Sequence, residues 1–295
     1  MSFSISQFNV EVLCNSVEIV TSYEQFCSEL IVETDVPNPL QAVMEWNGNY
    51  VEIAPVRTIP GTPGTVVYQP VEYLRLLQQY FQPYSGNCSL SELLLFYGIR
   101  FTTNVATKTQ HWEFTGGRLI TLLKYIESHA VSKGNISITC SITGSFIVQD
   151  LYNEYLIGSY AKEMKSRGGT RVLATEWINE YPGKGEIYLY TSRGIESKKF
   201  EYAEGMGYGV LRIPMYDQYS IDDAETVVRC QFYKHLMSSD VLHTVPTANS
   251  ILAIGGCVTV LGKRMVISGL RVVPRIDDSS VTEVILCAPY KSIFV

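Results

Sequence analysis

Apolar and polar positions alternate in short stretches along much of this chain, with the period of two that marks half-buried strands. At the start, Phe3, Ile5, Phe8, Val10 and Val12 alternate with one irregularity. Segments 42–53 and 65–68 read as further strands. Between them Pro60-Gly61-Thr62-Pro63-Gly64 is a turn, because glycine takes positive φ freely and proline fixes its own. A strand is predicted over 136–148, with Ile136, Ile138, Cys140 and Ile142 on one face. Segments 186–192 and 198–204 make the arms of a hairpin joined at Arg193-Gly194, and 210–215 is another strand. After Ser250 everything reads as β: 257–261, a tight turn at Gly262-Lys263, then 265–273 and 281–287. Their connections are too short for parallel crossovers, so an antiparallel meander is expected.

Elsewhere the period lengthens. Over 71–81, Leu74, Leu77 and Phe81 fall at helical spacing, and Pro83 stops the helix. Ser89 followed three residues later by Glu92 has the form of a capping box that opens a helix through Tyr97. After Gly116-Gly117, the positions Leu119, Leu122, Leu123 and Ile126 recur at i, i+3, i+4 and i+7, the stripe of a helix buried on one side. Asp150 caps a predicted helix with Tyr152, Tyr155, Leu156 and Tyr160 on one side, ending at Gly168-Gly169. Ser220 and Asp223 open another, with Ala224, Val227, Val228, Gln231 and Phe232 inward.

Helices and strands do not alternate regularly, which argues against a doubly wound parallel sheet. The expected fold is α+β and β-rich, with antiparallel sheets, a C-terminal β-meander and four or five peripheral helices. A single domain over 1–295 is expected. Gly168-Gly169 is the place for a subdivision into 1–168 and 169–295, but nothing there has the composition of a linker.

Composition adds a hint about association. Charged residues make up 18% of the chain, where about a quarter is usual, and 20 tyrosines help fill the deficit. Tyrosine carries a large apolar area with one polar tip, which suits sheet surfaces and protein interfaces. Low charge density leaves less to keep neighbouring copies apart, so self-association is the expectation. The net charge is −6 and the first fifty residues hold no Lys or Arg, which excludes a role through a basic N-terminal arm on nucleic acid. A local cationic group, Lys162, Lys165, Arg167 and Arg171, reads as a solvated helix face and loop. The seven cysteines, at 14, 27, 88, 140, 230, 257 and 287, are odd in number and widely spaced, unlike a disulfide framework or a zinc ribbon. The start has no signal-peptide pattern, and no apolar run approaches the roughly 20 residues of a membrane span. A cytoplasmic location, or one within a virion, is expected.

Chemistry is thinly marked. Gly205-Met206-Gly207-Tyr208-Gly209 precedes a strand instead of a helix, so it reads as a loop and not a dinucleotide site. Gly116-Gly117-Arg118 at a helix start could receive an anion but is better read as a helix opening. Cys230 and His235 share a helix about 140° apart, too far round to touch. Asp222-Asp223 complements a helix start, and Asp277-Asp278 is ordinary loop chemistry. No cofactor and no metal is expected. One constellation stands out: Tyr188, Tyr190, Arg193, Lys198, Lys199, Phe200 and Tyr202 combine rings and cations on one hairpin, the ingredients of a single-stranded nucleic-acid or protein-binding surface. Cross-strand packing of the rings is the plainer meaning.

These observations point to a structural protein that assembles with copies of itself or with other structural proteins, such as a viral capsid, matrix or occlusion-body component. Two alternatives stand beside it. One is an enzyme with a site assembled from distant residues, with Cys230, His111, His129 and His243 as its ionisable groups. The other is a binding module centred on the 186–204 hairpin.

Overall fold

The computed structural model describes residues 3–150 apart from 8–9, 13, 23–24, 36–39, 47, 63, 104, 106–107 and 132–135, then 162–163, 171–175, 184–191, 194–201, 208–212, 220–226, 240–244, 254, 257–260, 263–273 and 281–289. Seven antiparallel strands open the chain: β1 (Phe3–Gln7), β2 (Val10–Glu11), β3 (Cys14–Ser22), β4 (Glu29–Thr34), β5 (Ala42–Trp46), β6 (Asn49–Thr58) and β7 (Thr65–Pro70). Period-two alternation buries Val17 and Ile19, Leu30 and Val32, Ala42 and Met44, Ile53, and Val66 and Tyr68 as one apolar cluster. The run predicted over 42–53 is a hairpin, not one strand. Gly48, at φ +78°, follows Asn47 and turns β5 back onto β6, the turn chemistry that Asn-Gly supplies. Gly64 is held more tightly. At φ +80° its carbonyl accepts from Thr34 N–H at 2.9 Å, and a Cβ on it would stand 2.5 Å from the Thr34 carbonyl oxygen.

A helical module follows, comprising α1 (Val71–Gln78), β8 (Tyr80–Phe81), β9 (Tyr84–Cys88), α2 (Leu90–Phe96), β10 (Phe101–Thr103), β11 (Gln110–Phe114), β12 (Gly117–Arg118), α3 (Leu119–His129), β13 (Ile136–Cys140) and β14 (Phe146–Asp150). The capping box is present in full: Ser89 Oγ accepts from Glu92 N–H, and Ser89 N–H donates to the Glu92 carboxylate. All four stripe residues of α3 are completely buried. Helix α1 is shorter than its spacing predicts. It ends at Gln78 because Gln79 is extended, and Tyr80–Phe81 pairs with Gly117–Arg118 instead. The strand expected over 136–148 is two strands, β13 and β14, paired antiparallel. Gly144, at φ +81°, and the bonds from Ser141 N–H and Oγ to the Ser145 carbonyl make the intervening turn. Ile142 therefore leaves the face it was expected to share and packs against the first sheet's cluster.

Beyond 150 the elements are β15 (Lys162–Glu163), β16 (Arg171–Thr175), β17 (Lys184–Thr191), β18 (Gly194–Glu201), β19 (Tyr208–Arg212), β20 (Asp240–Thr244), β21 (Cys257–Val260), β22 (Lys263–Val273) and β23 (Val281–Pro289), with a short helix α4 over 221–226. Strands β21, β22 and β23 form the predicted antiparallel meander. The far half of β22 pairs with β3, so the first and last parts of the chain share one sheet in the order β16-β20-β23-β22-β3-β4-β7-β6-β5-β1-β2, with β21 and β15 beside the near half of β22. Across that seam Arg271 grips the Glu18 carboxylate with two guanidinium nitrogens. Most of the helix expected over 150–168 lies outside the described residues, but Lys162–Glu163 is strand, paired parallel with β21. Four helices appear among the described residues, and the β-rich α+β architecture with antiparallel sheets is the one expected.

Candidate interaction surface

The hairpin singled out by sequence is formed by β17 and β18, which close at Thr191 and Gly194, one residue earlier than predicted. Strand β19 adds to its other edge in parallel. Pairing Ile187 with Lys198 and Tyr188 with Ser197 assigns each position to a face. Gly185, Ile187 and Leu189 line a buried face, with Ile187 fully buried and Leu189 1% exposed. The opposite face carries Tyr188, Tyr190, Ile195 and Lys199. By register, position 200 pairs with Gly185 and Lys198 with Ile187, and Lys198 is only half-buried there. Arg193 and Tyr202 lie outside the described residues. Register therefore divides the described members of the predicted set between two faces.

Each described member has its own surroundings. Tyr188 is half-buried and its hydroxyl donates to Glu186 Oε2 at 3.0 Å. The Ser197 and Tyr188 hydroxyls hold the Glu186 carboxyl below the usual carboxylate range. Tyr190 is 53% exposed and Ile195, directly across the ladder, is 64% exposed, so the hairpin ends in an open apolar pair. Lys199 is exposed. Lys198 is engaged: its Nζ donates to Asp222 Oδ1 at 2.7 Å and also bonds Glu225, and these two carboxylates raise its pKa.

Helix α4 is the acidic counterpart that sequence reasoning read only as a helix start. Ser220 Oγ accepts from Asp223 N–H at 3.2 Å, and the Asp223 carboxylate accepts from Ser220 N–H at 3.4 Å through one oxygen and from Lys108 Nζ at 2.7 Å through the other. One lysine from the helical module and one from the hairpin thus clamp Asp222, Asp223 and Glu225. Only the spacing Ser220-Asp223 was visible in the sequence. The lysine partners are distant along the chain. A second exposed apolar patch, also unmarked in the sequence, lies on α2, where Leu95 is 67% and Phe96 59% exposed and Phe96 packs edge-on against Tyr84.

Among the described residues, the histidines proposed for catalysis, His111, His129 and His243, stand in different surroundings. Cys230 and His235 lie outside the described residues, and His243 sits in β20 opposite Arg171 and Ile285. His111 borders a cleft of about 190 Å³ with Asn87, Lys108, Gln110 and Asp223, and its Nδ1 lies 3.0 Å from Asn87 Oδ1. That volume is below the several hundred Å³ of ordinary ligand pockets. His129 is half-buried at the end of α3. It stacks on Tyr125 with ring centroids 4.4 Å apart, and its Nδ1 lies 2.9 Å from the Tyr125 carbonyl. Arg118 bonds the Gln78 carbonyl at the end of α1. Among the described residues no group of three His, Cys, Asp or Glu side chains could hold a metal ion, and no helix is long and apolar enough to cross a membrane.

Burial of His129 has a consequence for acid stability. Desolvation lowers its pKa from the ordinary 6.5, only partly offset by the Tyr125 carbonyl. The unfolded chain then takes up a proton at a higher pH than the folded one, so stability falls as pH drops from 6.5 toward the lowered value. Comparing denaturant midpoints above and below that window, His129→Gln is expected to show a shallower acid loss than the parent. An equal loss in both proteins would remove His129 from the account.

No protein-family model matches the sequence, and no curated protein matches it. Solved structures do. The chain shares its fold with phage tail proteins. The 43 kDa tail protein of prophage MuSo2 from Shewanella oneidensis is 12% identical, with 97% of each chain covered and a TM-score of 0.62. A tail protein from Neisseria meningitidis MC58 is 10% identical, over 99% of this chain and 97% of that one, at a TM-score of 0.63. Prophage tail protein gp18 from Listeria monocytogenes EGD-e is 11% identical, over 99% and 96%, at 0.61.

Proposed function

We propose that this chain is a structural subunit of a bacteriophage tail or of a tail-like particle, held in place by contacts with copies of itself and with neighbouring structural proteins. The observation that carries the reading is the end-to-end sharing of one fold with three tail proteins, with 96% or more of every chain covered. A fold retained at 10–12% identity points to selection on shape, since so few side chains are held in common. This likeness favours a tail over a capsid, matrix or occlusion body, and a place within a virion. The exposed pairs Tyr190–Ile195 and Leu95–Phe96 supply apolar anchors of the kind that interfaces bury. Nucleic acid is the less favoured partner, because the net charge is −6 and Lys198 is already engaged by two carboxylates.

Multi-angle light scattering over a concentration series, with the 260/280 nm ratio followed across each peak, tests the reading. A discrete oligomer free of nucleic acid is expected, which negative-stain microscopy would then show as a defined particle. A monomer at every concentration would sink the self-assembly half of the proposal. A high 260/280 ratio would revive the nucleic-acid surface.

A further inference from the structure

Seven cysteines spread over this sequence give no local sign of pairing, but the fold brings two of them together. Cys27 lies just before β4, and Cys140 is the last residue of β13. A parallel bridge joins them: Cys140 N–H donates to the Phe26 carbonyl at 2.8 Å, and Ser28 N–H donates to the Cys140 carbonyl at 2.8 Å. Residues paired across neighbouring strands stand about 5 Å apart and send their side chains to the same face. That spacing falls within the Cα separations, about 4.4–6.8 Å, that a disulfide tolerates. The Cys27 thiol donates to the Ser28 carbonyl at 3.2 Å and the Cys140 thiol to the Ser141 carbonyl at 3.6 Å. Both residues are buried, Cys27 at 3% and Cys140 at 0% exposure, in the core of the helical module. The ladder sets the other described cysteines differently, Cys14 opposite Thr34, Cys88 opposite Gln110, and Cys257 and Cys287 each opposite Val266 on its two sides.

We propose that Cys27 and Cys140 are a disulfide-forming pair, dithiol in a reducing compartment and cross-linked in an oxidising one, where the bond ties the segment between β3 and β4 to β13. With a disulfide such as oxidised glutathione as oxidant, the thiolate of one cysteine attacks a glutathione sulfur and expels a glutathione thiolate. The second cysteine then attacks the protein sulfur of that mixed disulfide and expels the other glutathione. One S–S bond is broken and one formed, both cysteine S–H protons end on glutathione, and the glutathione disulfide is reduced to two thiols. Burial pushes the Cys27 thiol up, so the thiolate is scarce in the closed fold and the exchange proceeds during folding or local opening. Closing so long a loop of chain restricts the unfolded state and raises stability. When the bond forms rests on the tail reading, since particle surfaces are oxidising and the cytoplasm that assembles them is not. Whether it can form does not.

The full chain is unfolded in reductant, refolded in a glutathione buffer poised to oxidise, alkylated, and digested after glutamate and lysine. Cleavage at Glu24 and Glu29 isolates Cys27 in the peptide Gln25–Glu29, separate from Cys14. That peptide is expected to be cross-linked to the Cys140 peptide as the dominant linkage, released by thiol reductant, with a higher thermal midpoint for the oxidised form. Cys88→Ala should retain the linkage and Cys27→Ala should lose it. Recovery of both cysteines as alkylated thiols, or linkages scattered over the seven cysteines without preference, overturns the proposal. The peptide map of the unsubstituted protein decides this even if a variant fails to fold, and neither result depends on the light-scattering outcome.

Discussion

Replacing Trp112 with alanine is expected to cost about 3–5 kcal/mol of stability, the range for removing a large aromatic side chain from a packed core. Trp112 is fully buried at the centre of β11. Its Nε1–H donates to the Cys88 carbonyl at 3.0 Å, and its ring lies 6.1 Å from that of Tyr125 on α3. The strand directly opposite presents Gly86, so the indole occupies space that no cross-strand side chain could refill. Truncation leaves a cavity between β11 and α3 and takes the indole donor from the Cys88 carbonyl. Trp112→Phe keeps most of the ring and loses that donor, for which about 1–3 kcal/mol is expected. Denaturant unfolding monitored by circular dichroism separates the two. Stability within about 0.5 kcal/mol of the parent for the alanine variant, the size of an ordinary surface effect, would mean that β11 does not carry this core.

Local signals account for what was legible in the sequence. The Ser89–Glu92 capping box and the stripe Leu119, Leu122, Leu123, Ile126 are decided within one or two turns of chain, so both helices formed where the residues place them. The meander was legible for the same reason, since Gly262-Lys263 leaves no room for another connection. The Asn47-Gly48 turn was equally local, but the apolar run on either side of it masked it, and one strand was read where a hairpin forms. Long-range facts were hidden. Glu18 and Arg271 are ordinary charges until β3 and β22 become neighbours. Lys108 and Asp223 meet only because α4 packs beside the loop before β11. The candidate hairpin shows both limits at once. Its existence followed from alternation, but which residues share a face, and that Lys198 is taken by α4, depended on register and on a distant helix.

Register in that hairpin can be tested by two adjacent substitutions with opposite expected results. Leu189 is 1% exposed and Tyr190 is 53% exposed, because consecutive strand residues point to opposite faces. Leu189→Asp places a carboxylate beside buried Ile187, where Lys198 on the same register face is already engaged by Asp222 and Glu225, and a loss of about 3–5 kcal/mol or outright failure to fold is expected. Tyr190→Asp changes an exposed ring at the hairpin end, and its stability should stay within about 0.5 kcal/mol of the parent. The same change removes an apolar anchor and adds a charge opposite Ile195. If this face takes part in assembly, light scattering will show the oligomer shifted toward monomer at concentrations where the parent is assembled. A one-residue slip of the strand would exchange the two stabilities, since every side chain would change face. Destabilisation by Tyr190→Asp and tolerance of Leu189→Asp would therefore overturn the pairing of Tyr188 with Ser197. Tolerance of Tyr190→Asp with an unchanged oligomer would keep the register and move the search for the interface to Leu95 and Phe96 on α2.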